Sequence, residues 1–193
     1  VGGNNEIISC TLDEGEEWLY FVNNQGKFQR FHLQNQTIEV IKEKLDIPGT
    51  SFHIVYHKLH DCFYVCSPSA YSIYKVERDG TANLFSGNSN SANSIDGPIA
   101  DAQYHSPNGI TVDEDGNIYV VQSSQGHHLL RKIIIGQDYV STIAGKKGAN
   151  EGQVSGIPLE STFHWPQSVS YDGEGGFWIG EYWGCAVRKY AIE

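Results

Sequence analysis

The sequence predicts an all-β chain, a β-propeller segment of four blades, on three observations. A short apolar-aromatic run recurs four times, as Leu19-Tyr20-Phe21, Phe63-Tyr64-Val65, Ile118-Tyr119-Val120 and Phe177-Trp178-Ile179. The central aromatic residues lie 44, 55 and 59 positions apart, close to the period of four-stranded blades. The composition, with 21 glycines and 11 tyrosines in 193 residues, suits strands joined by turns.

Each copy unfolds into the same elements, called strands A to D. Strand A ends at Leu12-Asp13, Tyr56-His57, Val112-Asp113 or Tyr171-Asp172. A polar turn such as "DEDGN" or "DGEGG" follows, where Asp and Gly tolerate positive φ and bond their own backbone. Strand B is the recurrent run. It is nearly continuously apolar, as expected of a strand covered on both faces by neighbouring blades. Strand C is "FQRF", "IYKV", "LRKI" or "VRKY", with a cation in one column: Arg30, Lys75, Lys132 and Lys189. Such a column reads as architectural, its carbon stems covering apolar surface while the charge reaches solvent. Strand D is "TIEVI", "TANLFSG" or "YVSTIAG" in the first three copies. Blades are expected at about 7–45, 50–87, 107–145 and 166–193, with extended connections over 86–106 and 145–165, and with the last blade lacking its outer strand. The expectation is the C-terminal part of a larger, about six-bladed propeller, with upstream blades of the same propeller as partners. The absence of methionine agrees with a processed or excised piece.

The stretch "SPNGITVDEDGNIYVV", with "LLRKI" and "YVSTIAG" after it, resembles the NHL repeat. "WPQSVSYDGEGGFWIG" and "AVRKY" are similar, whereas the first two copies match by register alone. The layout also resembles bacterial secreted or surface proteins that pair an IPT/TIG domain with NHL repeats. That resemblance implies a periplasmic, cell-surface or secreted location.

Composition excludes other classes. The formal net charge is −10, from 13 Lys+Arg against 23 Asp+Glu, so no basic footprint for nucleic acid exists. No apolar run approaches the roughly 20 residues of a membrane span, and no signal peptide is present in this chain. The four cysteines read as buried free thiols. Cys62 and Cys66 lie four apart in one strand, about 13 Å, beyond the roughly 7 Å a disulfide tolerates.

The candidate site is the rim where B–C turns and D–A connections emerge together, the usual binding face of a propeller. Its candidate ligand-binding residues are Tyr71, His105, His127, His128, His164, Trp165, Glu181, Tyr182 and Trp183. Tyr and Trp offer flat apolar faces with a polar handle, suited to sugar rings or peptide side chains. Packing between blades is the alternative role for Trp165 and Trp183. His127 and His128 are adjacent, so on an extended chain they point opposite ways. His105 and His164 hold matching places in "YHSP" and "FHWP", where Tyr104 and Phe163 are expected to anchor the connections. A convergent His105–His164 pair stays open. No HExxH spacing, GxSxG or Ser-His-Asp order is present, so no catalytic residue, metal or cofactor is assigned. The residues just after strand B are Asn23, Ser67, Gln122 and Glu181, where NHL repeats usually carry Asp. Only one of the four ionises, which argues against catalysis in these blades. The leading expectation is a non-catalytic module for a glycan or protein ligand. The alternative is part of a propeller hydrolase or lyase with metal-assisted chemistry, its remaining ligands on upstream blades.

Overall fold

A computed structural model of the chain describes residues 6–191. It contains four antiparallel sheets arranged as propeller blades, in which consecutive strands pair in chain order. Blade 1 is β1 (Ile7–Leu12), β2 (Trp18–Asn23), β3 (Phe28–His32) and β4 (Thr37–Lys42). Blade 2 is β5 (His53–His57), β6 (Cys62–Ser67), β7 (Ser72–Val76) and β8 (Ala82–Gly87). The connection after it forms β9 (Gly97–Pro98), which pairs outside the last strand of blade 3. Blade 3 is β10 (Pro107–Val112), β11 (Ile118–Gln122), β12 (Leu129–Ile134) and β13 (Tyr139–Ala144). Blade 4 has β14 (Pro166–Tyr171), β15 (Gly176–Glu181) and β16 (Ala186–Ala191) among the described residues. The expected end of that blade, Ile192 and Glu193, lies outside them. No helix of the described residues is long and apolar enough to cross a membrane.

The β-strand B pattern is explained by burial on both faces. Toward the following blade point Tyr20, Val22 and Phe28 in blade 1, Tyr64, Cys66 and Ile73 in blade 2, and Tyr119, Val121 and Leu130 in blade 3. All nine are at most 2% exposed. The following blade answers with Phe63 and Val65, with Ile118 and Val120, or with Phe177 and Ile179. Burying each such side chain contributes about 1.5–3 kcal/mol, so the three junctions carry most of the core. Blade 4 repeats the column as Trp178, Gly180 and Val187, but Trp178 is 46% and Val187 71% exposed. No blade covers that face among the described residues.

The cation column is architectural, as its sequence suggests. Each member lies opposite the strand B aromatic of its own blade: Arg30 opposite Tyr20, Lys75 opposite Tyr64, Lys132 opposite Tyr119, Lys189 opposite Trp178. Lys132 and Lys189 sit over those rings at 5.3 and 5.2 Å, while Arg30 covers Trp18 at 3.9 Å. Arg30, Lys75 and Lys189 also pair with Glu39, Glu77 and Asp172.

Three glycine positions are set by close approach. Gly109 of β10 packs against blade 4 so tightly that a Cβ would lie 2.6 Å from the Cα of Ser168. Gly87 and Gly145, at the ends of β8 and β13, have φ of 106° and 93°. A Cβ there would collide with the carbonyl oxygens of Tyr71 and His128.

All four described cysteines are free, but only two are buried, which corrects the sequence expectation. Cys66 fills the interblade column and Cys62 the same core, and burial pushes the Cys62 thiol up to about 11. Cys10 is exposed because it occupies, on the uncovered side of blade 1, the register place that Ile54, Ile110 and Val169 fill at the junctions. Cys185 is exposed in the B–C turn of blade 4, at φ 45°.

His53 opens β5 and is buried, and burial holds its pKa down at about 4. Because the folded value is depressed, the folded chain resists a proton that the unfolded chain accepts. Stability is therefore lost as pH falls from about 6.5 to about 4, by on the order of 3 kcal/mol for this residue. Urea unfolding of the native chain and of His53→Gln across this window should show a shallower acid slope in the variant. Parallel slopes would reject the assignment.

Candidate functional site

The candidate rim is organised by two buried anchors and two arginines. Tyr104 and Phe163 hold the same repeat position and both are buried, seating their connections between blades as the repeat predicts. A strand C arginine covers each ring: Arg131 lies 5.1 Å from Tyr104 and Arg188 5.4 Å from Phe163. Arg131 is fully buried. It donates to the carbonyls of Gln103 and Ile95, to Gln122 Oε1 and to Asp96 Oδ1, at 3.0, 3.0, 2.5 and 2.8 Å. Arg188 repeats the arrangement with the carbonyls of Thr162 and Val154, the Ser155 hydroxyl and Glu181 Oε1. Each arginine thus ties a connection to its blade, adding a charged donor to carbonyls of which those of Ile95, Gln103 and Val154 also accept a backbone amide.

The residues after strand B serve this clamp. Gln122 accepts from Arg131 and donates to the Ser94 hydroxyl, which meets His127 Nδ1 at 2.9 Å. Glu181 accepts from Arg188, from Gln153 Nε2 and from the His164 amide. Glu181 was expected among the ligand-binding residues of the rim. The structure instead buries it, because three donors from strand C and the connection converge on it.

The remaining candidates do meet at one rim. Tyr71, His105 and His127 form a row, with ring centroids 5.7 Å and then 4.7 Å apart, the two imidazoles nearly parallel at 12°. His128 faces the other way and lies against Trp165 at 5.4 Å. The adjacent histidines therefore point in opposite directions, one to each connection flanking blade 3. His128 is 5% exposed, buried beneath Trp165 rather than displayed. His105 and His164 do not converge: His105 faces His127, whereas His164 Nε2 lies 3.8 Å from Glu151 Oε2. Tyr182 and Trp183 cap the B–C turn of blade 4, 5.2 Å apart and T-shaped. They are 65% and 61% exposed.

Positive φ occurs at both rims, and on this one it falls on candidate residues. Ser106 and Trp165, the residues before the two strand A prolines, have φ of 54° and 55°, and Tyr71 has 52°. A bulky residue there costs of order 1–3 kcal/mol. The Trp165 carbonyl accepts from the Tyr182 amide at 2.9 Å, and the Ser106 carbonyl from Ser123 at 3.0 Å. The Trp165 indole donates to Glu151 Oε1 at 3.2 Å.

Burial lowers the pKa of His105, His127 and His128, the last two against or with neighbouring charges. The rim therefore presents neutral imidazoles and aromatic faces, able to donate and accept hydrogen bonds with uncharged polar ligands. Among the described residues, no group of three His, Cys, Asp or Glu is placed to hold a metal.

Arg131, Arg188, Ser94 and Glu151 were missed at the sequence level. A signal for the arginines exists. Where strand C carries Arg before the cation column, as in "LLRKI" and "AVRKY", the residue after strand B is Gln122 or Glu181. Where it carries Gln29 or Tyr74, the partner is Asn23 or Ser67.

Fold and rim together define a β-propeller protein. Residues 99–128 match the model of the SBBP β-propeller repeat. The chain is 41% identical to a Bacteroides thetaiotaomicron structural genomics protein of unknown function, with TM-score 0.93, over 98% of this chain and 48% of that one. It is 22% identical to an auxiliary nutrient binding protein from Bacteroides ovatus, with TM-score 0.76, over 95% of this chain and 47% of that one. A gluconolactonase from Xanthomonas campestris shares the fold at 14% identity and TM-score 0.58, over 97% of this chain and 73% of that one. The chain spans about half the length of the two Bacteroides structures. No curated protein matches it.

Proposed function

We propose that the chain is a non-catalytic binding module, part of a larger NHL-type propeller of a bacterial periplasmic, cell-surface or secreted protein, that takes a glycan or protein ligand at this rim. The exposed Tyr182–Trp183 pair carries the reading: two large rings stand in solvent on the rim that also carries the Tyr71–His105–His127 row. Exposed aromatic faces with polar tips suit sugar rings and peptide side chains. The nutrient-binding role of the Bacteroides ovatus structure supports a binding function. The uncovered faces of blades 1 and 4 support further blades of the same propeller as partners. IPT/TIG pairing belongs to the same proposal and rests on the sequence resemblance.

A glycan and peptide array should find a ligand whose affinity falls at least about tenfold in Trp183→Ala, the loss of a roughly 2 kcal/mol aromatic contact. Binding indifferent to this substitution would remove the rim from consideration.

A further inference from the structure

The three junctions inside the chain show what a covered blade face takes. On strand A a hydroxyl accepts across the gap: Thr11 Oγ1 from the Tyr56 amide at 3.1 Å, and Thr111 Oγ1 from the Tyr171 amide at 3.2 Å. Val55 holds that register place at junction 2–3. Strand B supplies the buried column, and its face continues into the B–C turn. Ser123, the first turn residue of blade 3, is 3% exposed and accepts from Gln167 Nε2 of blade 4 at 3.1 Å. Its counterpart in blade 2, Pro68, is partly buried, whereas the next residue, Ser69, is exposed. On the opposite rim, of A–B and C–D turns, the junctions are closed unequally. At junction 1–2 Arg78, from the C–D turn of blade 2, donates to Asp13 Oδ2, the Tyr20 hydroxyl, Asp61 Oδ1 and the Tyr56 hydroxyl, at 3.3, 3.0, 2.7 and 3.1 Å. At junction 2–3 the register place of Arg78 is Ile135, which packs with Val112 on the apolar cluster.

Blade 4 presents the same face uncovered. Trp178, Gly180 and Val187 continue the column, and Tyr182 follows at the register place of Ser123 and Pro68. Ser170 holds the place of Thr11 and Thr111, opposite the strand B aromatic. Its hydroxyl donates to the Tyr171 carbonyl at 3.5 Å, as the Thr11 hydroxyl does to that of Leu12 at 3.3 Å. The Thr11 oxygen also accepts from the next blade, and the exposed Ser170 oxygen is open to do the same. Gly180 stands where the other blades have Val22, Cys66 and Val121. Over it lies a cavity of about 390 Å³, whose walls include Ser168, Tyr182, Ala186 and Val187. The cavity sits at the Ala186 end of β16, remote from Ala191, the last described residue. Trp183, at the place of the exposed Ser69, stands outside it.

We propose that Tyr182 and Trp183, adjacent at the end of blade 4, serve different partners. Tyr182, with Trp178, Val187 and the hollow over Gly180, is the socket of a further blade of the same protein, and Trp183 alone stays on the free rim. The proposal rests on the reading of the chain as part of a larger propeller and divides its aromatic pair. The occupant is a blade because a blade fills this column at all three interior junctions. In addition, the chain spans only 48% of the structure to which it is 41% identical. The incoming strand B brings two apolar side chains, as Phe63 and Val65, Ile118 and Val120, and Phe177 and Ile179 do. One of them must be large, because a glycine leaves the hollow for its partner to fill. The incoming strand A brings an amide that donates to Ser170 Oγ.

The test is hydroxyl-radical footprinting of the full-length gene product, read residue by residue by mass spectrometry and corrected for intrinsic side-chain reactivity. Without a covering blade, Trp178, Tyr182, Trp183 and Val187 are 46, 65, 61 and 71% exposed and should react comparably. With it, Trp178, Tyr182 and Val187 should react at least about fivefold more slowly than Trp183, because the core of such an interface is packed like a protein interior. Protected Trp178 and Val187 beside a reactive Tyr182 would overturn the assignment of Tyr182 and leave the larger propeller standing. Four reactive residues would overturn both. Protection of Trp183 equal to that of Tyr182 would place the whole pair in the interface and overturn the division. Protection that is lost on dilution would assign the face to a second molecule, which also overturns the proposal. The footprint uses no ligand, so its outcome is separate from that of the Trp183→Ala array.

Discussion

Arg131→Ala should destabilise the chain by about 3–5 kcal/mol, the usual cost of removing one partner from a buried charged network. The guanidinium is fully buried and donates to four acceptors on three segments. Its loss leaves the carbonyls of Ile95 and Gln103 and the Gln122 amide oxygen without that donor. Asp96 keeps the amide and hydroxyl of Thr142 and is thereby partly compensated. Tyr104 also loses the cation above its ring. The thermal midpoint should fall by roughly 2–4 °C per kcal/mol for a chain of this size. Arg131→Lys should recover a minor part, because an ammonium cannot reach four acceptors laid out for a planar fork. A loss below about 1 kcal/mol in urea unfolding would mean that water replaces the guanidinium, and the clamp would not be a stabilising element.

Phe63→Ala is expected to cost a similar amount, about 3–5 kcal/mol, through a different mechanism. Phe63 lies at the centre of junction 1–2, with ring centroids of Tyr20, Phe28 and Tyr56 at 4.6, 5.4 and 5.5 Å. It is fully buried. Truncation removes its transfer free energy and leaves a cavity between two rigid sheets that collapse only in part. Hydrogen exchange should speed most in β2 and β6. A cost below about 1.5 kcal/mol would show that blade 1 is not docked on blade 2 as described.

Much of this architecture was legible because a repeat writes its own alignment. The four aromatic runs located β2, β6, β11 and β15, and the cation column located β3, β7, β12 and β16. Tyr104 and Phe163 were legible as anchors because both precede His-x-Pro and strand A. The opposed directions of His127 and His128 followed from strand geometry alone. What escaped was set by contacts between distant segments. β9 has only two residues, Gly97 and Pro98, and exists because the outer edge of β13 is there to pair with. Glu181 read as a rim candidate because Gln153 lies 28 residues away in sequence and Arg188 meets it only once the β15–β16 hairpin closes. Cys10 read as buried along with the other cysteines, and only the uncovered face of blade 1 makes it exposed. The pairing of Arg131 with Gln122 shows in the sequence only as a match between two columns, one in strand C and one at the end of strand B.

The junctions differ on the rim of A–B and C–D turns, opposite the aromatic one, and so respond differently to the solution around them. Each blade touches only its neighbours, so the weakest junction decides where a linear array comes apart. Junction 1–2 is held on this rim by the half-exposed Arg78, among partners that run from exposed Asp61 to nearly buried Asp13, and dissolved salt screens the exposed part of that contact. Junction 2–3 is sealed there by Ile135 and Val112, whose attraction does not depend on charge. Added salt therefore weakens the contribution of Arg78 to junction 1–2, about 0–1 kcal/mol for such a pair, and does not weaken the Ile135–Val112 contact of junction 2–3.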